Sequence, residues 1–113
     1  MSRTPVDDGI PLNCFELTGI LIERQALRFT PAAVPVTECV IGHRSEQVEA
    51  GVVRRVGFEA QAIALGETAR LLQAVAPGTA LRLTGFISAK SQKSRQLRLH
   101  ITTITFVEGN LNG

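Results

Sequence analysis

The sequence predicts an all-β domain with one short helix, and two observations carry this prediction. Apolar and polar residues alternate with a period of two along five stretches, as is typical of half-buried strands. Only residues 66–76 combine good helix formers with apolar residues at helical spacing. A chain of 113 residues is large enough for one hydrophobic core but too short for two. We therefore expect a single domain over residues 13–108, with a flexible tail at 1–12 and a short tail at 109–113.

The five predicted strands are separated by turn or loop signals. They cover residues 14–27, 34–45, 52–65, 79–89 and 96–107. In the first strand Gly19 predicts a bend, because a glycine inside a long strand often marks a bulge. A loop over residues 30–35 follows this strand, since Pro31 and Pro35 cannot donate ladder hydrogen bonds.

The second and third predicted strands form a long two-stranded arm. Residues 46–51 join them and are too polar for the core, and Gly51 permits the positive φ that a turn needs. An arm with arginines near its end suits the binding of an extended ligand. Arg44, Arg54 and Arg55 could contact phosphates there, or they could pair with neighbouring glutamates across the strands.

The predicted helix and its position in the chain favour one architecture. Glu67 lies in the first turn, where a carboxylate is favourable, and Leu71, Leu72 and Val75 share one face. Pro77 and Gly78 then end the helix. Five strands with one short helix between strands three and four follow the order of an OB-fold, a small Greek-key barrel. Such barrels bind oligonucleotides across strands two and three, flanked by the loops after strands one and four.

Charge is distributed unevenly along the chain. The net charge is only +2, but residues 68–107 contain six basic side chains and no acidic one. Four of the six lie close together around the turn after strand four: Lys90, Lys93, Arg95 and Arg98. One sign of charge concentrated on one segment is the pattern expected of a surface that meets a polyanion. These four residues are therefore the leading candidates for DNA contacts, against the alternative of a solvated turn.

Other classes of function find little support in the sequence. No apolar run approaches the roughly 20 residues that span a membrane, and the N-terminus lacks the apolar segment of a signal peptide, which predicts a cytoplasmic protein. Cys14 and Cys39 form no C-x-x-C pair, so we expect two buried free thiols. His43 and His100 lack a matching ligand or catalytic cluster at useful spacing. We expect no metal, no cofactor and no enzymatic activity, and a structural or dimer-contact role for His43.

One run on the arm resembles a known family. Residues 43–51, H-R-S-E-Q-V-E-A-G, are similar to the corresponding run of bacterial primosomal replication protein N, an accessory protein of replication restart. Shorter stretches resemble the same family in the same order: Leu17-Thr18-Gly19, Gly85-Phe86-Ile87-Ser88 and Leu99-His100. The resemblance implies a dimeric OB-fold that binds single-stranded DNA without catalysis. It further implies a role at stalled forks, where the protein bridges the restart helicase and the helicase-loading machinery.

The resemblance is weakest at the aromatic positions. Family members use lysines on the loop after strand four, where Lys93 matches one such position and Lys90, Arg95 and Arg98 lie beside others. The family's tryptophan position is Gly57 here, and a second aromatic position is Val52. The chain has no Trp or Tyr and only five Phe. Because stacking on an aromatic ring contributes about 1–3 kcal/mol per base, we expect weaker and more electrostatic DNA binding.

Two phenylalanines have competing interpretations. Phe58 is expected in the core rather than on a DNA-binding surface, because Val56 and Ala60 share its face of the strand. Phe86 interrupts a polar face and could pack at a subunit contact. Two alternative functions also stay open: a protein–protein adaptor with little DNA binding, which the missing aromatic residues favour, and a general single-stranded DNA-binding protein.

Overall fold

The computed structural model describes residues 11–107, which form six strands and one short helix. The bounds are β1 Phe15–Arg24, β2 Arg28–Phe29, β3 Pro35–Glu49, β4 Val52–Leu65, α1 Glu67–Gln73, β5 Ala80–Ala89 and β6 Leu97–Phe106. The five long strands lie close to the five that the alternation predicts. The two-residue β2 was not predicted, and when it is counted the helix follows the fourth strand of the chain.

The five long strands close into a barrel. The sheet order is β1-β5-β6-β4-β3, and a second pairing between β1 and β3 joins its two ends. Of the pairings among residues 11–107, the one between β4 and β6 is parallel and the others are antiparallel. Closure pairs most of the sheet edges that an open sheet would expose. The predicted all-β barrel with one short helix is confirmed.

Strand β1 pairs with both of its neighbours by bending between them. Residues 15–20 pair with β5, whereas residues 20–24 pair with β3, and the register shifts by a bulge between Leu21 and Glu23. Gly19 lies at this change of partner. A Cβ at Gly19 would lie 2.5 Å from Cγ2 of Ile41, so the strands approach here only because the side chain is missing.

Alternating residues of the long strands fill the barrel. Leu21, Ile41, Leu81 and Leu83 are fully buried, and Leu72 of the helix completes the same cluster. On the opposite face of β1, Ile20 and Ile22 are exposed. The period-two pattern therefore predicted correctly which face of β1 and of β5 is buried.

The helix closes one end of the barrel through polar as well as apolar contacts. The buried hydroxyl of Thr37 donates to the carbonyl of Ala69 at 2.9 Å and accepts from Nε2 of Gln73 at 3.0 Å. Ala69, Leu72 and Val75 are buried, but Leu71 is exposed, so the predicted apolar face is wrong at that residue. Leu71 and Leu72 are 100° apart on a helix, so both cannot point to the barrel end equally.

The arm extends further than the sequence predicted. Strands β3 and β4 pair without interruption from Val36 opposite Leu65 to Glu49 opposite Val52. The polar residues 46–49 therefore belong to the strand, and the turn consists of Ala50 and Gly51, with φ of 54° and 79°. Two successive positive φ values are typical of the type I′ hairpin turn. The predicted six-residue turn is therefore wrong. Both faces of the ladder are exposed here, so its residues need no apolar alternation, and the sequence gives no sign of a strand.

Smaller differences concern the loop after β1 and the chain ends. Strand β1 ends at Arg24, and β2 pairs with Val36 and Pro35, so Pro35 begins a strand instead of ending a loop. Most of the predicted tails, residues 1–10 and 108–113, lie outside the described residues. Within residues 11–107, no helix has the length and apolar character needed to cross a bilayer.

Candidate nucleic-acid interface

The basic loop, residues 90–96, is a turn between β5 and β6 that is held by its own hydrogen bonds. The Lys90 amide donates to the Gln96 carbonyl at 2.8 Å, and the Ser94 amide donates to the Ser91 carbonyl at 3.1 Å. The Ser94 hydroxyl also accepts from the Gln96 amide at 2.9 Å. These bonds fix the backbone of the loop, and the side chains of Lys90, Lys93 and Arg95 are exposed on it.

The cations of this region have no acidic partner. The ion pairs found in residues 11–107 join Arg28 to Glu38, Arg54 to Glu49 and Arg82 to Glu16, and none includes Lys90, Lys93, Arg95 or Arg98. Arg98 lies in β6 just after the loop, directly opposite Ser88. Its Nε atom is buried without a hydrogen-bond partner among the described residues. The structure thus places the four predicted residues on one loop and the strand that follows it.

The arginines of the arm have different surroundings. Arg54 Nε lies 2.5 Å from a carboxylate oxygen of Glu49, and both side chains are exposed. Arg55 lies directly opposite Glu46 in the ladder, and Arg44 lies opposite Gly57. Of the two readings that the sequence left open for these arginines, the structure shows cross-strand pairing for Arg54. Arg44 and Arg55 are exposed and have no ion pair within the described residues.

A chain of hydrogen bonds ties the arm to β1. The Nδ1 atom of His43 lies 2.7 Å from the carbonyl oxygen of Thr18, which can only accept, so Nδ1 carries the proton. In the neutral ring Nε2 then accepts from the Ser45 hydroxyl at 2.8 Å, and this hydroxyl accepts from Nε2 of Gln47 at 3.0 Å. His43, Ser45 and Gln47 alternate along β3 and therefore share one face. Their bonds give the H-R-S-x-Q run a structural role.

A groove of about 1060 Å³ separates β1 from the arm. Thr18, Ile20 and Ile22 line one side of it, and residues 42–46 and 55–59 line the other. Phe58 lies in this groove with its ring 5.0 Å from that of His43, and 44% of it is exposed. The prediction that Phe58 belongs to the core is wrong, because β4 has left the barrel at this point.

An aromatic pair lies on the outer face of β5 and β6, and the sequence analysis did not identify it. Phe86 and His100 are direct cross-strand partners, with ring centroids 4.7 Å apart and planes at 14°. Burial, with a smaller contribution from the neighbouring Arg98 guanidinium, lowers the pKa of His100 below its ordinary value of 6.5. His100 is thus a neutral ring at neutral pH. In the sequence the two residues are 14 positions apart, and only the strand register brings them together.

The two cysteines lie in different environments. Cys39 is buried in the barrel, and burial raises the pKa of its thiol to about 12. Cys14 is exposed, so the prediction that both thiols are buried is wrong for Cys14. Cys14 precedes the first paired residue of β1, where the chain has not yet entered the sheet.

Comparisons with known proteins agree with this geometry. A family described as "another single-strand binding protein family" matches residues 13–103. Replication restart protein PriB from Nitrosomonas europaea is 37% identical over 95 residues, covering 84% of this chain and 88% of the relative. PriB from Bordetella pertussis is 36% identical over 100 residues, covering 88% of this chain and 94% of the relative.

Solved structures show the same likeness in three dimensions. The structure of PriB from Ralstonia solanacearum superposes with a TM-score of 0.77 at 33% identity, covering 85% of this chain and 99% of that one. The single-stranded DNA binding protein from Thermus aquaticus superposes with a TM-score of 0.69 at 21% identity, covering 87% of this chain and 51% of that one. The second comparison shows a shared fold only.

Proposed function

We propose that this chain, which belongs to the replication restart protein PriB group of the single-strand binding protein family, binds single-stranded DNA in replication restart. The observation that carries the proposal is the set of cations on the basic loop and at the start of β6. Lys90, Lys93, Arg95 and Arg98 have no acidic partner among the described residues, so their charge is available to phosphates. We assign the chain a binding role rather than a catalytic one.

The binding mechanism follows from this charge. Each phosphate neutralised by a lysine or arginine releases condensed counterions, so the affinity falls as the salt concentration rises. Because Lys93 and Arg95 are exposed on a fixed loop backbone, their side chains can reach a flexible strand without distorting the barrel. Arg44 and Arg55 extend the basic surface along the arm, whereas Arg54 contributes less because Glu49 neutralises it.

The test is equilibrium binding of a fluorescent single-stranded oligonucleotide by anisotropy at several salt concentrations. The double variant Lys93→Ala/Arg95→Ala should bind severalfold more weakly. Its plot of log affinity against log salt should be shallower by about 1.4 units, since each lost contact removes roughly 0.7 units for a single strand. The matched control is Glu49→Gln/Arg54→Gln on the arm, which removes one paired charge of each sign. We expect the control to bind within about twofold of the wild type.

Either of two results would contradict this proposal. Wild-type protein that binds no oligonucleotide at low salt would exclude the function itself. A double variant with unchanged affinity and slope, beside a weakened arm control, would move the phosphate contacts from the basic loop to the arm.

We also propose a homodimer, with contact along β1 and the groove beside it. Residues 15–19 pair with β5 on one edge only, and the other edge faces the groove without a strand partner among the described residues. Exposed Ile20, Ile22 and Phe58 add apolar surface to the same region. An unpaired edge beside apolar side chains favours pairing with a second chain. Light scattering should give twice the monomer mass, and Ile20→Glu should shift it towards the monomer; a monomeric wild type would refute this assignment.

In replication restart, the finer role we propose is to hold the restart helicase on DNA and to bridge to the helicase-loading machinery. The arm tip supports a protein-binding role, because Val48, Val52 and Val53 are all more than half exposed there. This apolar tip also favours the second candidate function, an adaptor that binds proteins and little DNA. Val48→Ser/Val53→Ser should weaken helicase binding and leave DNA binding unchanged. The adaptor alone would stand if the wild type bound helicase but no oligonucleotide.

A further inference from the structure

Phe86 presents an exposed aromatic ring supported from one side. The rings of Phe86 and His100 are nearly parallel at 14° with their centroids 4.7 Å apart, so one face of Phe86 packs against His100. His100 is itself flanked on its other side by β4, where it lies opposite Ile63. His100 is therefore held between two neighbours, whereas Phe86 retains 40% of its surface exposed. A third planar group could stack on the exposed part of the Phe86 ring.

The surroundings of this ring favour an anionic ligand. Ser88 and Arg98 form the next cross-strand pair towards the basic loop, on the same face of the sheet as Phe86 and His100. Lys90 follows two residues beyond Ser88. At the other end of the face Arg82 is 3.9 Å from Glu16, so the charge there is partly neutralised. Among residues 80–106, the cations without an ion pair therefore lie on the loop side of the ring.

We propose that the exposed part of the Phe86 ring stacks on one base of bound single-stranded DNA, while the Arg98 guanidinium contacts a neighbouring phosphate. A nucleotide combines a planar apolar group with an anion, and this surface places an aromatic ring beside cations in the same way. The inference rests on the proposed function, because it specifies where a base lies on a protein that binds single strands.

The other phenylalanines are less suitable for this role. Phe58 packs against His43 inside the groove, and the ring of Phe29 has the Arg70 guanidinium 5.9 Å from its centroid. Phe106 is exposed, but it ends β6 at the opposite end from the basic loop. Because positions 52 and 57 carry Val and Gly, they provide no ring on the arm. Phe86 is exposed and lies on the same face as Arg98, next to the basic loop.

The chain provides an unusually clean optical test, since it contains no Trp or Tyr. Phe86→Trp introduces a single fluorophore at the proposed stacking site, and Phe106→Trp introduces one at a matched exposed site on the neighbouring strand. Titration with oligo(dT) should quench the fluorescence of the Phe86→Trp protein at saturation. The Phe106→Trp protein should show little change. Equal responses at both positions would overturn the proposal.

Affinity gives an independent readout. Phe86→Leu should lower the affinity for oligo(dT) by about fivefold to tenfold, as expected for one lost stacked base. The slope of log affinity against log salt should stay unchanged, because no phosphate contact is lost. Phe106→Leu should bind as the wild type does. Thermal unfolding checks each variant, and the Trp titration decides the question if Phe86→Leu proves unstable.

The proposed function and the proposed stacking site can be refuted separately. If the wild type binds oligonucleotide with a steep salt dependence while Phe86→Leu is indistinguishable from it, base stacking at Phe86 is refuted and DNA binding stands. If the wild type binds no oligonucleotide even at low salt, the proposed function and the stacking site are both refuted.

Discussion

The arm and the β5–β6 hairpin are both long antiparallel pairs, but they differ in the balance of their basic and acidic side chains. Residues 42–59 of the arm carry three arginines and three glutamates, and Arg54 forms an ion pair with Glu49. Residues 80–106 carry five basic side chains and no acidic one. Opposite charges within one ladder satisfy each other, whereas a surplus of one sign attracts a ligand of the other sign. Arginine content alone therefore does not distinguish the two hairpins, whereas the balance of basic and acidic side chains does.

The ends of the two hairpins also differ in polarity. The arm ends in a tight two-residue turn. The apolar tip formed by Val48, Val52 and Val53 flanks this turn. The other hairpin ends in the basic loop, whose backbone is fixed by hydrogen bonds and whose cations point to solvent. An apolar end suits a protein surface and a cationic end suits phosphates. The two proposed binding roles therefore occupy different positions, with protein binding at the arm tip and DNA binding at the basic loop.

The largest expected effect concerns the close approach inside the β5–β6 hairpin. A Cβ at Gly85 would lie 1.7 Å from the His100 carbonyl oxygen, whereas one at Gly57 of the arm would come no closer than 3.8 Å to another residue. Gly85→Ala should therefore destabilise the protein by roughly 3 kcal/mol or more. Gly57→Ala should change the stability by less than about 1 kcal/mol. Urea denaturation measures both, and equal losses would show that the backbones pack alike in the two hairpins.

A smaller effect is expected from Glu16, an acidic residue beside the β5–β6 face. Glu16 lies 3.9 Å from Arg82, and both side chains are mostly exposed, so their pairing is weak. Glu16→Gln should tighten oligonucleotide binding by about twofold at low salt, because it removes an anion beside the proposed DNA site. Glu59→Gln on the arm makes the same charge change as a control. An equal gain from both variants would indicate a general charge effect instead of a local one.

The smallest effect concerns pH and the aromatic pair. Burial lowers the pKa of His100 in the folded protein, so the unfolded chain takes up the proton first as the pH falls through 6.5. Proton uptake by the unfolded chain lowers the free energy of unfolding below that pH. The wild type should therefore lose more stability than His100→Gln between pH 7.5 and 5.5. Identical losses, measured by urea denaturation at both pH values, would mean that His100 titrates normally in the folded state.

Much of the fold could be predicted because the barrel depends on local alternation. Leu21, Leu81 and Leu83 occupy alternate positions of strands that are polar on the other face, and a period of two specifies which face is buried. The same rule fails for the distal arm, where both faces meet solvent and residues 46–49 show no pattern to follow. It also failed for Phe58, whose apolar neighbours suggested a core that the strand has already left.

The candidate interface could be predicted in charge but not in contacts. The absence of acidic residues over residues 68–107 is a property of sequence and indicated the basic loop directly. The pairing of Arg54 with Glu49, and of Phe86 with His100, depends on which residues stand opposite each other across strands. Register is set by the turns and by the bulge between Thr84 and Gly85, which alternation alone does not reveal.

The parallel ladder between β4 and β6 has a consequence for the order of folding. Each hairpin forms from neighbouring residues, but this ladder must bring together segments as distant in the chain as Ala62 and Leu99. Hairpins form within about 10 microseconds, whereas contacts between distant segments carry a large loop-closure cost and make β-barrels fold in milliseconds or longer. We expect Ala62→Gly to slow refolding in stopped-flow experiments, and Val53→Gly at the arm tip to leave the refolding rate unchanged. Like the β1–β5 ladder, which joins Phe15 to Gly85, this ladder forms only when separate hairpins meet to close one barrel.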